Sequence, residues 1–161
     1  MDKQVGSANA VTPREQWFTV LGDSAKEVFS MMAGVDVSVS DDNTLPVLAN
    51  VTAVVGIAGA IRAVFKLRCS TLTATKIASA MLGVPAEDAA AQKGDAIGEM
   101  CNIIAGDFKA KIGLGEQCML TVPTVVEGSD FRMRSLADSQ KLEMPLLYEN
   151  EPIWIVLEIA G

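Results

Sequence analysis

Two segments of the chain share a residue pattern at a fixed distance from one another. Residues 23–34 read DSAKEVFSMMAG and residues 95–106 read DAIGEMCNIIAG, so that an Asp, a Glu, an Ala and a Gly coincide at an offset of 72. The strand-like VTAVV at Val51 matches VPTVV at Val122 at an offset of 71. Because helix and strand shift together, we interpret the pattern as an internal duplication rather than as two ordinary amphipathic helices. The duplication predicts a pseudo-twofold fold with both helices on the same face of one sheet.

The order of the predicted helices and strands indicates the fold class. The predicted helices cover residues 13–33 and 72–82, and a long third helix begins at Pro85. The predicted strands are residues 35–40, 51–59, 60–70, 118–128, 130–136, 141–148 and 153–159. Helices and strands follow one another in mixed order, which is typical of an α+β fold with an antiparallel sheet packed by long helices.

Two local patterns refine this prediction. Gly34 and Gly83 are expected to end the first two helices, and Ser70 or Thr71 is expected to cap the second. In the strand at residues 60–70, apolar residues alternate with charged ones, which predicts one buried face and one face in contact with water.

Composition limits the functions that the chain can have. With 161 residues, half of them hydrophobic, it can bury the core of one domain, which we place at residues 13–161 after a flexible lead-in at residues 1–12. The formal net charge of −7 and the lack of a basic stripe argue against nucleic acid as a partner. Without a single His, the chain cannot use the commonest general base or a histidine metal site.

The cysteines and the uncharged stretch bear on the location of the protein. The three cysteines have no CxxC spacing and lie among apolar residues, so they are expected to be reduced core residues of a cytoplasmic protein that binds no metal. Residues 43–61 carry no charge, but their Asn, Pro and Gly residues and their Val and Thr content favour strands with a turn over a membrane helix.

One predicted helix combines an apolar side with an unusual polar side. At about 100° per residue, Asp95, Glu99 and Asn102 fall within about 60° of each other, and Gly106 lies between them. Four apolar residues at the same spacing lie on the opposite side and are expected to face the core, namely Ile97, Cys101, Ile104 and Phe108. The small residues Gly94, Gly98 and Ala105 flank the polar side and are expected to leave it open to close approach.

This pattern resembles the signature of the CheC, CheX and FliY family of bacterial chemotaxis phosphatases. The family motif has Asp or Ser, then Glu, then Asn on one helix, followed by a proline; Asp95, Glu99, Asn102 and Pro123 match it. Pro123 lies about two residues closer to the Asn than in the family pattern. A single intact motif, with Ser30 in the place of the Asn in the first copy, most resembles the CheX members.

The resemblance implies a function and a set of partners. The substrate would be the aspartyl phosphate of a CheY-like response regulator, whose own site holds Mg²⁺, so that this chain needs no cofactor or metal. Glu99 would contact a lysine of the regulator, Asn102 would orient the attacking water, and Asp95 and Pro123 would support the motif. The resemblance also implies a homodimer.

Other interpretations of these residues remain open. Asp95 alone could be a helix cap and Glu99 alone a surface glutamate, whereas Asn102 is an unfavourable residue inside a helix. A protein of the same fold could also bind a response regulator or a flagellar switch component without catalysis. A small-molecule enzyme is disfavoured, because the sequence has no phosphate-binding Gly loop, metal cluster or nucleophile elbow.

Overall fold

The computed structural model describes residues 12–41, 49–129 and 139–161. The helices are Trp17–Ala33 (α1), Thr71–Leu82 (α2), Ala86–Ala89 (α3) and Lys93–Lys111 (α4). The strands are Ser38–Val39 (β1), Val51–Gly59 (β2), Ala63–Cys69 (β3), Cys118–Leu120 (β4), Thr124–Glu127 (β5), Ser139–Tyr148 (β6) and Glu151–Ala160 (β7). The predicted strand at residues 130–136 lies outside the described residues, and so does the predicted lead-in except for Thr12.

The helix ends follow the predicted signals. Gly34 ends α1 and Gly83 ends α2, both in the left-handed conformation with φ of 65° and 68°. Ser70 caps α2, since its hydroxyl oxygen accepts a hydrogen bond from the Thr73 N–H at 3.1 Å. The long helix expected to begin at Pro85 is instead divided into α3, a short 3₁₀ turn and α4. The division lets Ala89 of α3 pack in a small cluster with Ala78 and Ala96.

All seven strands belong to one antiparallel sheet, as predicted. The strand order is β1-β6-β7-β3-β2-β4, and β5 pairs with β2 beside β4. The apolar residues of neighbouring strands are in register, as in Phe65 opposite both Val55 and Leu157, so they lie on one face. On this face Phe108 of α4 packs edge-on against Trp17 of α1 at a centroid distance of 5.8 Å and lies 6.5 Å from Phe65. Both helices therefore cover the same face of the sheet, as the duplication predicted.

The strand order has the predicted pseudo-twofold symmetry. The set of neighbouring strands stays the same when β3 is exchanged with β7, β2 with β6, and β1 with the β4–β5 segment. The pseudo-twofold axis therefore passes between β3 and β7. Each half consists of a long helix, a short edge segment and a hairpin. Each edge segment pairs with the hairpin of the other half, since β1 lies against β6 and β5 against β2.

The symmetry corrects one part of the predicted duplication. The helices at an offset of 72 are equivalent, but the strand segment at Val51 is not equivalent to the one at Val122. The equivalent of β2 is β6, and β2 instead pairs with the β4–β5 segment. Both segments resemble each other because Val-rich residues suit any half-buried strand.

The second face of the sheet differs from the prediction. The side of the predicted strand at residues 60–70 that was expected to contact water includes Arg62, which is exposed and precedes β3, but also Lys66 of β3, which is buried. The Lys66 Nζ lies 3.0 Å from a carboxylate oxygen of Glu158, and both side chains are less than a tenth exposed. Alternation along one strand identified the two faces but could not indicate how far the second one is covered.

No helix in the described ranges is long and apolar enough to cross a membrane. In the stretch considered as a membrane candidate, residues 51–59 form β2.

Candidate functional site

Helix α4 presents the predicted apolar and polar sides. Ile97, Cys101, Ile104 and Phe108 are fully buried. On the other side, Asp95 and Glu99 are exposed and Asn102 is half-buried. Within the described part of the chain, none of these three polar side chains makes a hydrogen bond or an ion pair. They are therefore available to a partner.

A β-bulge brings Pro123 against helix α4. Strand β2 pairs with β4 as far as the pair Ile57 and Leu120, and with β5 from the pair Val54 and Thr124. Between these two pairs, two residues of β2 lie opposite three residues of the β4–β5 segment. The extra residue shifts the alternation of side chains between the two sheet faces by one position, so that Leu120 and Val125 both face α4. Pro123 has no N–H to donate to the sheet and suits the bulge.

The small residues of α4 make this approach possible. A Cβ at Gly98 would lie 3.0 Å from Val125 Cγ2 and 3.6 Å from Pro123 Cβ. A Cβ at Gly94 would lie 2.7 Å from a carboxylate oxygen of Glu127. The β4–β5 segment therefore occupies the space beside Gly94 and Gly98 that was expected to be open. Pro123 therefore approaches α4 at Gly98, the residue before Glu99 in the chain.

The equivalent surface of α1 differs from that of α4. Asp23, Glu27 and Ser30 are exposed at the corresponding positions, but a carboxylate oxygen of Glu27 lies 2.7 Å from the Lys111 Nζ. Asp107 first and Glu27 second hold the pKa of the Lys111 ammonium above its ordinary value. The first copy therefore has a hydroxyl where α4 has an amide, and its glutamate already has a cation.

A further matching pair of residues was missed in the sequence. Gly22 of α1 stands 72 positions before Gly94 of α4. A Cβ at Gly22 would lie 3.5 Å from Val39 of β1, just as one at Gly94 would lie 3.6 Å from Val125 of β5. Extending the repeat by one residue towards the N-terminus would have found this signal.

The thiols of Cys69 and Cys101 are not activated nucleophiles. Burial raises the pKa of the Cys69 and Cys101 thiols to about 12, so both are protonated at neutral pH. The Cys101 Sγ lies 3.8 Å from the carbonyl oxygens of Ala53 and Phe65 in the core. The thiol of α4 is therefore not an activated nucleophile.

Known proteins resemble this chain in sequence. The family model described as "Chemotaxis phosphatase CheX" matches residues 51–147. A protein of Thermotoga maritima named "CheY-P phosphatase CheX" is 34% identical over 100 residues, which are 61% of this chain and 64% of that protein. The match therefore spans slightly less than two thirds of the relative.

Solved structures share the fold. The chemotaxis protein CheX of Vibrio vulnificus superposes with a TM-score of 0.75 at 20% identity, covering 92% of this chain and 99% of that one. A CheX-CheY-BeF3-Mg²⁺ complex of Borrelia burgdorferi gives 0.71 at 19% identity, covering 90% and 98%. FliY of Thermotoga maritima gives 0.63 at 17% identity, covering 94% and 93%. The architecture is thus the CheC-like fold.

Proposed function

The chain belongs to the CheX family of chemotaxis phosphatases, and we propose that it hydrolyses the aspartyl phosphate of a CheY-like response regulator. The observation that carries this proposal is a pair of side chains on α4 that have no partner among the described residues, the exposed Glu99 and the half-buried Asn102. Pro123 approaches the same helix at Gly98. The name of the Thermotoga maritima relative and the content of the Borrelia burgdorferi complex support the same substrate.

An amide suffices for this reaction. An acyl phosphate already has a good leaving group, so hydrolysis mainly requires a water molecule in line with the phosphorus and a balanced charge. The Asn102 carboxamide can accept a hydrogen bond through its oxygen and donate one through its nitrogen, so it can hold a water molecule in one orientation. Partial burial limits the rotamers of Asn102. Neither its oxygen nor its nitrogen forms a hydrogen bond with the described residues, so both can contact a water molecule.

Glu99 is placed to orient the partner. Unlike Glu27 in the first copy, Glu99 forms no ion pair within the described part of the chain, so it can pair with a lysine of the regulator. An exposed ion pair contributes less than about 1 kcal/mol, so this contact serves orientation more than affinity. We assign Asp95 and Pro123 a supporting role, in which Asp95 favours the start of α4 and Pro123 braces the helix at Gly98.

The reaction centre is divided between two proteins in this proposal. The phosphoryl group and its Mg²⁺ belong to the regulator, and this chain contributes the amide and the carboxylate from a helix surface. Mg²⁺ in the Borrelia burgdorferi complex is consistent with that division. The proposal also places the protein in the cytoplasm, where response regulators are phosphorylated.

The decay of a phosphorylated regulator tests the proposal. A CheY-like regulator is phosphorylated with a small-molecule phosphodonor, the donor is removed, and the remaining phosphoprotein is followed with and without this chain. We expect decay to be faster with the chain, in proportion to its concentration. Binding of the regulator at an unchanged decay rate would instead identify a non-catalytic binding module, the alternative function.

We further propose a single domain at residues 13–161 that forms a homodimer. The exchange of edge segments between the two halves supports one domain, because neither half completes its own sheet. The β4–β5 segment lies at an edge of the sheet in the described residues, and exposed edges are sites of pairing between chains.

Light scattering at micromolar concentration tests the dimer. One chain has a mass of 17.0 kDa, so a dimer should give twice that value, about 34 kDa. A mass near that of one chain would contradict the prediction.

A further inference from the structure

A polar cavity lies at one end of the sheet, between the residues before α1 and the turn that joins β2 to β3. It has a volume of about 230 Å³ and is lined by Arg14, residues 59–62 and residues 160–161. This volume is below the roughly 300–1,000 Å³ of pockets for drug-sized ligands, so the cavity suits a small ion or group. Its lining includes no residue of α4, so the cavity is separate from the site proposed for the response regulator.

The cavity carries an excess of positive charge. Arg14 and Arg62 line it, and both side chains are exposed. Among the described residues no acidic side chain lines it, so the lining contains two guanidinium groups and at most one carboxylate, that of Gly161. A neighbouring depression, which Arg62 also lines, includes Glu158, but this carboxylate is paired with Lys66 at 3.0 Å. In a chain with a formal net charge of −7, such a local excess attracts anions to one place.

Contacts within the chain hold Arg14 in place without neutralising it. Its Nη1 donates a hydrogen bond to the side-chain oxygen of Gln140 at 3.4 Å. Its guanidinium carbon also lies 5.5 Å from the centre of the Trp17 ring. Because both partners are uncharged, the positive charge of Arg14 remains available to a ligand. A side chain that is ordered before binding loses less conformational entropy when the ligand arrives.

The turn between β2 and β3 is fixed on both sides and adds backbone donors. The Ala60 N–H donates to the Gln117 carbonyl oxygen at 3.0 Å, and the Arg62 carbonyl oxygen accepts from the Ala160 N–H at 2.8 Å. Both Ile61 and Arg62 line the cavity, and their N–H groups form no hydrogen bond with the described residues. The Arg62 side chain likewise has no hydrogen bond or ion pair in the described part of the chain.

We propose that this cavity binds a phosphate group. Two guanidinium groups and two backbone N–H groups supply donors from separate parts of the chain, which suits the tetrahedral oxygens of phosphate better than a planar carboxylate. A phosphate group carries close to two negative charges at neutral pH, so it balances the two arginines. Free phosphate and the phosphate of a small organic molecule share this chemistry.

Titration with inorganic phosphate tests the site. In ¹H–¹⁵N spectra of the full chain, sodium phosphate at constant pH should move the amide signals of Ile61 and Arg62 in a saturable way. The amide signal of Gly83, which ends α2 and does not line the cavity, should stay in place. Sodium chloride at matched ionic strength should move none of these signals.

Charge-removing variants make the result specific. Arg14→Met and Arg62→Met should each weaken phosphate binding at least tenfold, because each removes one charge and its hydrogen-bond donors. Lys26→Met removes an equally exposed positive charge from α1, outside the cavity, and should leave binding unchanged. Since all three side chains are exposed, the melting temperatures should stay close to that of the parent, which separates binding from misfolding.

A second titration identifies the source of the phosphate. Glycerol phosphate that binds at least tenfold more tightly than inorganic phosphate indicates a small organic phosphate, whereas equal or weaker binding indicates the free ion. Amide signals of Ile61 and Arg62 that respond to neither compound would overturn the proposal. It would also be overturned by binding that persists unchanged in both arginine variants, or that Lys26→Met weakens as much as they do.

Discussion

Replacing Asn102 with Ala is expected to slow the dephosphorylation of the response regulator tenfold or more while leaving the fold intact. Tenfold corresponds to about 1.4 kcal/mol of transition-state stabilisation, a modest value for a group that positions the attacking water. The half-buried Asn102 makes no hydrogen bond within the described residues, and Ala is the better helix former, so the free energy of unfolding should change by no more than about 0.5 kcal/mol. Phosphoprotein decay and urea denaturation measure the two quantities.

Matched variants assign the effect to the correct helix. Ser30→Ala at the equivalent position of α1 should change neither activity nor stability, because a hydroxyl is too short to hold a water where the amide would. Glu99→Ala should impair both turnover and binding of the regulator, since it removes the orienting contact. Loss of activity in Ser30→Ala, with activity retained in Asn102→Ala, would show that the site belongs to α1.

Glu158→Gln is expected to cost about 3 kcal/mol or more of unfolding free energy, because it leaves the buried Lys66 ammonium without its counterion. The Lys66 and Glu158 side chains are only 8% and 7% exposed, and their charged atoms are 3.0 Å apart. Such a loss is a large part of the 5–15 kcal/mol that stabilises a typical domain. The shift of the urea denaturation midpoint measures it.

Two control variants separate the buried pair from its surroundings. Lys141 also lies near Glu158, at 3.8 Å, but it is half exposed, so Lys141→Met should cost less than about 1 kcal/mol. The double replacement Lys66→Met with Glu158→Leu removes both charges and should recover most of the loss. A Glu158→Gln protein as stable as the parent would show that Lys66 does not depend on this carboxylate.

The polar and apolar sides of α4 could be predicted from the sequence because they depend only on residues that are close together in the chain. Residues three and four apart on a helix share a side whatever the rest of the chain does, so Asp95, Glu99 and Asn102 had to lie together if the segment was helical. The burial of Ile97 and Phe108 follows from the same geometry. The glycine stops of α1 and α2 are equally local, since they depend on the conformation of one residue.

The α+β class and the equivalence of α1 and α4 were likewise determined by the sequence, because an offset of 72 can be counted without coordinates. The strand equivalence was decided only in the tertiary structure. Hydrophobic pattern shows that a segment is a strand but not which strand it pairs with, and here each edge segment crosses to the other half. The bulge that brings Pro123 to Gly98 arises from the register between distant strands, which no local pattern contains. The burial of Lys66 depends on the pairing of β3 with β7, so it follows from the assembly of the sheet rather than from the alternation along any one strand.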